Sequence, residues 1–109
     1  MVRDDKQLAA VCIAVCRRIP EDVELWTLDG PAELAKRWRK RSPLSSGERV
    51  LLLVAWALWN NSTPRILFAD VVHSLSGDNL AFLGGLLVAL AGGSEAIDGW
   101  LEILGTRHE

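Results

Sequence analysis

A chain of 109 residues, half of them hydrophobic and 24% of them charged, is expected to fold as one domain (residues 1–109) with its own core. This composition excludes wholesale disorder, and the net charge of −2 argues against a dedicated DNA-binding domain, which is typically strongly basic. The charge is unevenly spread. Residues 31–49 carry six basic and two acidic groups, whereas the remaining ninety carry six basic and twelve acidic groups.

Targeting and membrane signals are weak in this sequence. We predict no secretory signal, because the apolar stretch after the first residues already contains Arg17 and Arg18. A membrane-spanning helix needs about 20 apolar residues, and the two longest apolar stretches, residues 50–59 and 80–93, have ten and fourteen. We therefore expect a cytoplasmic protein without a membrane span.

The two cysteines, Cys12 and Cys16, lie four residues apart on one predicted helical face, where backbone geometry does not let their side chains bridge readily. His73 and His108 are the only histidines, so a thiolate metal site lacks ligands. We predict two buried, reduced thiols, no metal and no cofactor.

All the periodic segments predict helices, and none alternates as a strand would. Segment 21–28 is expected to add one or two helical turns before a tight turn at residues 29–31. Ser45 and Glu48 form a capping-box pattern at the start of one helix, and Ser76 is expected to cap another. The predicted helices span residues 4–18, 32–41, 46–60, 64–75, 77–91 and 95–104.

Two of these helices, 46–60 and 77–91, contain the long apolar stretches. A helix that is apolar on every side is expected to be buried on every side. The sequence therefore predicts an all-α, compact single-domain bundle of five or six helices, in which 46–60 and 77–91 are central. The helices at 4–18, 64–75 and 95–104 would then surround them.

Small residues in the second apolar helix predict a close helix contact. Ala81, Gly85 and Ala89 follow at four-residue spacing and form a groove, and a glycine inside a helix costs about 1 kcal/mol relative to alanine. Either the 46–60 helix or a symmetry mate is expected to fill this groove. Because much apolar surface remains, we also predict a homodimer, with this groove or the Trp100 face of the last helix as its interface.

The sharpest local pattern is a basic segment around a tryptophan: Lys36, Arg37, Trp38, Arg39, Lys40 and Arg41. Trp26 and Trp38 flank or lie in this charged region and are expected to be partly exposed. The segment could bind an acidic protein, nucleic-acid phosphates with Trp38 stacked on a base, or an anionic membrane surface. Alternatively, Trp38 anchors the helix in the core and the cations only face solvent.

No catalytic pattern accompanies this segment. Asp70 and His73 could form a general-base pair, but no nucleophile, metal site or oxyanion donor is predicted beside them. The helix at 77–91 presents leucines and glycines, which cannot read base edges as a recognition helix does. Residues 45–60 and the following SGDN turn resemble segments of small bacterial or phage proteins, a resemblance that implies no function.

We therefore expect a non-enzymatic protein-interaction module (an adaptor, inhibitor or assembly factor) that docks on an acidic protein surface through the basic segment and Trp26. A nucleic-acid-binding regulator that uses the same cations as phosphate contacts is the alternative.

Overall fold

The computed structural model describes residues 5–19, 24–40, 44–60 and 68–105; the side chains of Arg39, Lys40 and Phe68 lie outside this description. Within these ranges the chain forms six helices and one short hairpin. The elements in chain order are α1 (Asp5–Cys16), β1 (Trp26–Thr27), β2 (Gly30–Pro31), α2 (Glu33–Lys40), α3 (Ser46–Asn60), α4 (Phe68–Ser74), α5 (Gly77–Gly92) and α6 (Ser94–Ile103).

The all-α prediction is confirmed, and the helix starts follow the predicted capping residues. The backbone N–H of Ser45 donates to Glu48 Oε1 at 2.9 Å, and the N–H of Glu48 donates to Ser45 Oγ at 3.3 Å, which is the reciprocal pattern of a capping box. Ser76 Oγ likewise accepts from the N–H of Asn79 at the start of α5. These contacts are local, so the sequence predicts them well.

The prediction of helical turns over 21–28 is wrong for its described part. Trp26 pairs with Pro31 and Thr27 pairs with Gly30 in a two-stranded antiparallel hairpin. Thr27 Oγ1 accepts from the N–H of Asp29 and donates to the carbonyl of Gly30, both at 3.1 Å. Gly30 has φ of 121°, a conformation that side chains disfavour. The Thr27 hydroxyl and Gly30 thus stabilise a hairpin turn, and the backbone does not form the hydrogen bonds of a helix here.

Helix α1 lies at the centre of the fold. The four consecutive residues 9–12 are all at most 1% exposed, although their side chains point in four directions about 100° apart. The helix packs chiefly against α3 and also contacts β1 and α6. Its buried side chains are mostly alanine, cysteine and valine, and such small groups let neighbouring elements approach from several sides.

The predicted central position of the 77–91 helix is wrong. In α5 only Leu83, Leu86 and Ala89 are buried, and the opposite side of the helix faces solvent. The neighbour of α5 along most of its length is α6, whereas α1 occupies the central place beside α3. The other helix predicted to be central, α3, contributes five buried residues to the core: Val50, Leu51, Leu52, Ala55 and Trp56. In the described ranges, each helix is too short or too polar to span a bilayer.

Two polar side chains, Gln7 in α1 and Arg18 just after it, join this part of the chain to the helical hairpin that α5 and α6 form. The Nε2 amide of Gln7, a buried polar side chain, donates to the carbonyl and hydroxyl oxygens of Ser94 at 2.9 and 3.0 Å and to Asp98 Oδ1 at 3.0 Å. At the other end of α1, Arg18 Nε donates to Asn79 Oδ1 at 2.9 Å. The Arg18 guanidinium also lies 5.1 Å from the ring centre of Phe82. These contacts fix the orientation of the α5–α6 helical hairpin on the core.

Both cysteines are buried thiols that form no disulfide, as predicted. Cys12 Sγ donates to the carbonyl of Ala55 at 3.4 Å, a contact between α1 and α3. Burial raises the pKa of the Cys16 thiol from 9.0 to about 12, because the thiolate would lose its hydration. Cys16 is therefore protonated in the folded protein at neutral pH.

Candidate functional site

The basic segment folds as the short amphipathic helix α2. Pro31 ends the β1–β2 hairpin just before α2. Glu33 lies in the first turn of α2, where the negative charge of its carboxylate interacts favourably with the helix dipole. The inner side of α2 is apolar: Ala35 is fully buried, and Leu34 and Trp38 pack against the hydrophobic core. Trp38 is half-buried, so its indole anchors the helix as the anchoring interpretation expected.

The cations of α2 whose side chains the structure describes lie on its outer side. Lys36 and Arg37 are exposed. Lys36 Nζ lies 3.2 Å from Glu33 Oε1, but this pair is 54% and 82% exposed, so it contributes at most a few tenths of a kcal/mol. The side chains of Arg39 and Lys40, and all of Arg41, lie outside the described residues. The described part of the segment is therefore a solvated basic face on a helix that Trp38 holds in place.

Trp26 does not belong to this surface, and its predicted exposure is wrong. Its side chain is only 3% exposed. The ring meets Trp56 and Trp59 of α3 edge to face, with ring centres 5.4 and 6.0 Å apart. The hairpin turns the chain back and carries Trp26 inward against α1 and α3. The Asp29-Gly30 pair was the available sequence signal for this reversal.

Of the four residues predicted for a dimer interface, Gly85 and Trp100 contact each other within one chain. An ideal Cβ on Gly85 would lie 3.4 Å from Nε1 of Trp100, so the indole fills the groove at this point. Trp100 also lies 5.3 Å from Phe82, centre to centre. Ala89 is buried and Ala81 is exposed. The helix that fills the groove is thus α6, not the helix at 46–60, and the homodimer stays a prediction.

The structure shows a second candidate surface, an exposed apolar one, that the sequence did not predict. Leu87 and Val88 of α5 are 65% and 74% exposed, and Ile103 of α6 is 87% exposed. We name these three residues the outer apolar face. Leu104, at the end of α6, is 42% exposed. The apolar composition of α5 was plain in the sequence, but it predicted burial rather than an exposed surface.

The remaining candidate for chemistry is the pair on α4. Asp70 and His73 are both exposed. In the described residues, no group of three or more histidine, cysteine, aspartate or glutamate side chains could hold a metal ion. These two side chains thus share one exposed side of α4.

Comparison of the chain with protein-family models, with curated proteins and with solved structures finds no match. Any functional conclusion therefore rests on the two surfaces themselves.

Proposed function

We propose that this protein is a small non-enzymatic interaction module, an adaptor, inhibitor or assembly factor, which docks through the basic face of α2 onto an acidic surface of a partner protein. The observation that supports this function is the anchoring of α2. Trp38 packs its indole on the core while Lys36 and Arg37 remain in solvent. A face that is already rigid loses little conformational freedom on binding, and this favours association.

Electrostatics would govern the encounter. The segment 31–49 holds a local excess of four positive charges in a chain whose net charge is −2. Such polarisation orients an approaching acidic surface toward α2 and raises the association rate, an effect that salt weakens. Charge reversal on α2 should therefore change mainly the association rate.

The packing of Trp38 favours a protein partner over nucleic acid. A base-stacking platform needs the open face of an aromatic ring, whereas the Trp38 indole contacts the core. Nucleic acid binding is then an outcome that the same experiment can detect.

The experiment compares immobilised wild-type protein with the Arg37→Glu/Arg39→Glu/Arg41→Glu variant in affinity capture from the native host. Retained proteins are identified by mass spectrometry, and their binding is then measured with purified components. We expect an acidic protein to be retained by the wild type and lost with the variant. Among single changes, Arg37→Glu should weaken binding, whereas Lys6→Glu, at an exposed lysine of α1 outside residues 31–49, serves as a control of equal charge change.

Labelled DNA and RNA oligonucleotides supply the discriminating measurement. A phosphate binder loses affinity steeply with log salt, by roughly a thousandfold or more between about 50 and 200 mM if it makes many phosphate contacts. The proposed function predicts no binding of either oligonucleotide at low salt. Tight, salt-sensitive binding that Arg37→Glu abolishes would replace the protein-docking proposal with the nucleic-acid alternative.

Self-association belongs to the same proposal as a separate test. A homodimer predicts a mass of twice 12.0 kDa in sedimentation equilibrium at about 100 μM protein. Since Trp100 occupies the groove at Gly85 within one chain, a dimer that uses this groove would have to displace the indole. Gly85→Leu should then dissociate the dimer or unfold the chain. A monomer mass for the wild type would exclude the dimer.

A further inference from the structure

The outer apolar face is continuous rather than scattered. Between Leu80 and Gly92 the sequence of α5 contains no polar side chain, and the helix is 16 residues, or about 24 Å, long. An ideal Cβ on Gly84 would have no atom within 4 Å, so this side of the helix is open. Single exposed apolar residues are ordinary, whereas an apolar surface that extends along a helix marks an interaction site.

Helix α6 extends this face. The two helices run antiparallel: Gly92 lies close to Ala96, and Gly85 lies close to Trp100. Residues three positions apart are neighbours on a helix surface. Val88 follows Gly85 by three positions, and Ile103 follows Trp100 by three, so both exposed side chains flank the Gly85–Trp100 contact. The outer apolar face therefore spans both helices of the hairpin.

The charged residues that α5 and α6 themselves carry are of one sign. Residues 68–105 contain five acidic residues and neither lysine nor arginine; the five are Asp70, Asp78, Glu95, Asp98 and Glu102. Glu95 and Glu102 are exposed on α6, and their seven-residue spacing places them on one side of that helix. Arg18, which follows α1, donates to Asn79 of α5. Asn79 is nine positions, or two and a half turns, from Val88 and therefore lies on the opposite side of α5.

We propose that the outer apolar face binds a cationic amphipathic helix of another protein. The apolar side of that helix would cover Leu87, Val88 and Ile103, and its lysines or arginines would lie along Glu95 and Glu102. This is the usual way in which an amphipathic helix docks on an apolar surface. A second copy of this chain fits less well, because a two-fold contact would bring together two helix pairs whose own charged residues are all acidic.

The probe is a fluorescein-labelled synthetic peptide of about 15 residues, about as long as α5, with leucines along one side and lysines on the other. Two peptides of equal length serve as controls, one with glutamate for lysine and one with serine for leucine. Fluorescence anisotropy with the full chain should show binding of the leucine/lysine peptide. Each control peptide should bind at least about tenfold more weakly.

Matched variants locate the contact. Val88→Ser and Ile103→Ser should each weaken binding of the leucine/lysine peptide at least about threefold, and together at least about tenfold. Leu28 is an apolar residue that is 43% exposed in the turn between β1 and β2. Leu28→Ser should leave the affinity for this peptide unchanged. Glu95→Gln/Glu102→Gln should weaken binding and flatten its salt dependence, whereas Glu24→Gln/Glu33→Gln should do neither.

Three results would overturn the proposal. The first is equal binding of the leucine/lysine and serine/lysine peptides, which would reveal charge attraction alone. The second is unchanged affinity in the Val88→Ser/Ile103→Ser variant. The third is a dimer that this variant dissociates, which would make a second copy the occupant. Arg37→Glu should not alter peptide binding, so loss of docking at α2 and loss of docking at the outer apolar face are separately measurable.

Discussion

Helices α1 and α5 differ in a way that their sequences do not suggest. α5 lacks any charged residue after Asp78, yet Leu87 and Val88 face solvent. α1 begins with Asp5, Lys6 and Gln7, yet residues 9–12 are buried all the way around the helix. We infer from this difference that a helix is buried on all its sides only where the neighbouring elements can approach it closely. Alanine and cysteine on several sides of α1 permit that approach, whereas the neighbours of α5 cover only the side that carries Leu83, Leu86 and Ala89.

The largest expected effect comes from one substitution made in both helices. Val15→Asp in α1 places a carboxylate at a site with 0% exposure, and we expect it to reduce the free energy of unfolding by on the order of 4 kcal/mol or more. Val88→Asp in α5 changes a side chain that is 74% exposed and should alter stability by less than about 0.5 kcal/mol. Urea unfolding followed by circular dichroism measures both. Comparable losses at the two sites would contradict the assigned difference in burial.

The next effect tests whether small side chains are what lets α1 be surrounded. Ala10→Leu adds three carbons at a site with 0% exposure and should cost about 1–3 kcal/mol, because the packed neighbours must move. Ala91→Leu makes the same change on the exposed side of α5 and should be close to neutral. If Ala10→Leu proved neutral in urea unfolding, α1 would have spare space around it and the close-approach explanation would fail.

Titration of Cys16 gives a smaller, pH-dependent effect at the end of α1. Its thiol has a folded pKa of about 12 against 9.0 in the unfolded chain, so above pH 9 the unfolded chain releases a proton that the folded protein keeps. Unfolding then becomes easier as pH rises from 9 toward 12, and at pH 10 this group should lower stability by about 1.4 kcal/mol. Below pH 9 it should have no effect. Cys16→Ala should remove this component, measured as the difference between its urea-unfolding profile and that of the wild type at pH 8 and 10.

The helices and their starts could be predicted from the sequence because their signals are local. Ser45, Glu48 and Ser76 satisfy backbone N–H groups within three residues of themselves. The position of each helix in the bundle could not be predicted in this way. It depends on contacts such as that of Gln7 with Ser94, which are 87 residues apart. The same limit explains Trp26, whose burial depends on α3 rather than on its charged neighbours in the chain.

The interaction surfaces show a similar division. The basic residues of α2 and their helical spacing could be predicted directly from the sequence. The packing of Trp38 against the core could be established only from the structure. The outer apolar face was not readable, because an apolar run in a sequence cannot indicate which of its sides a neighbour covers. The sequence also shows that residues 68–105 contain aspartate and glutamate but neither lysine nor arginine. Only the fold shows that Glu95 and Glu102 are exposed on the same helix as Ile103.

The smallest expected effect is a gain in stability on the exposed side of α5. Gly84→Ala should raise the free energy of unfolding by up to about 1 kcal/mol, because alanine favours the helix and its Cβ would have no atom within 4 Å. Gly85→Ala should gain less, since its Cβ would lie 3.4 Å from Nε1 of Trp100 and the indole would have to adjust. Thermal unfolding should show a higher Tm for Gly84→Ala than for Gly85→Ala, by several degrees at most. A loss of stability at Gly84 would mean that another surface packs closely against this side of the helix in the free protein. The outer apolar face would then already be occupied, and sedimentation equilibrium of the same variant would tell whether a second copy occupies it.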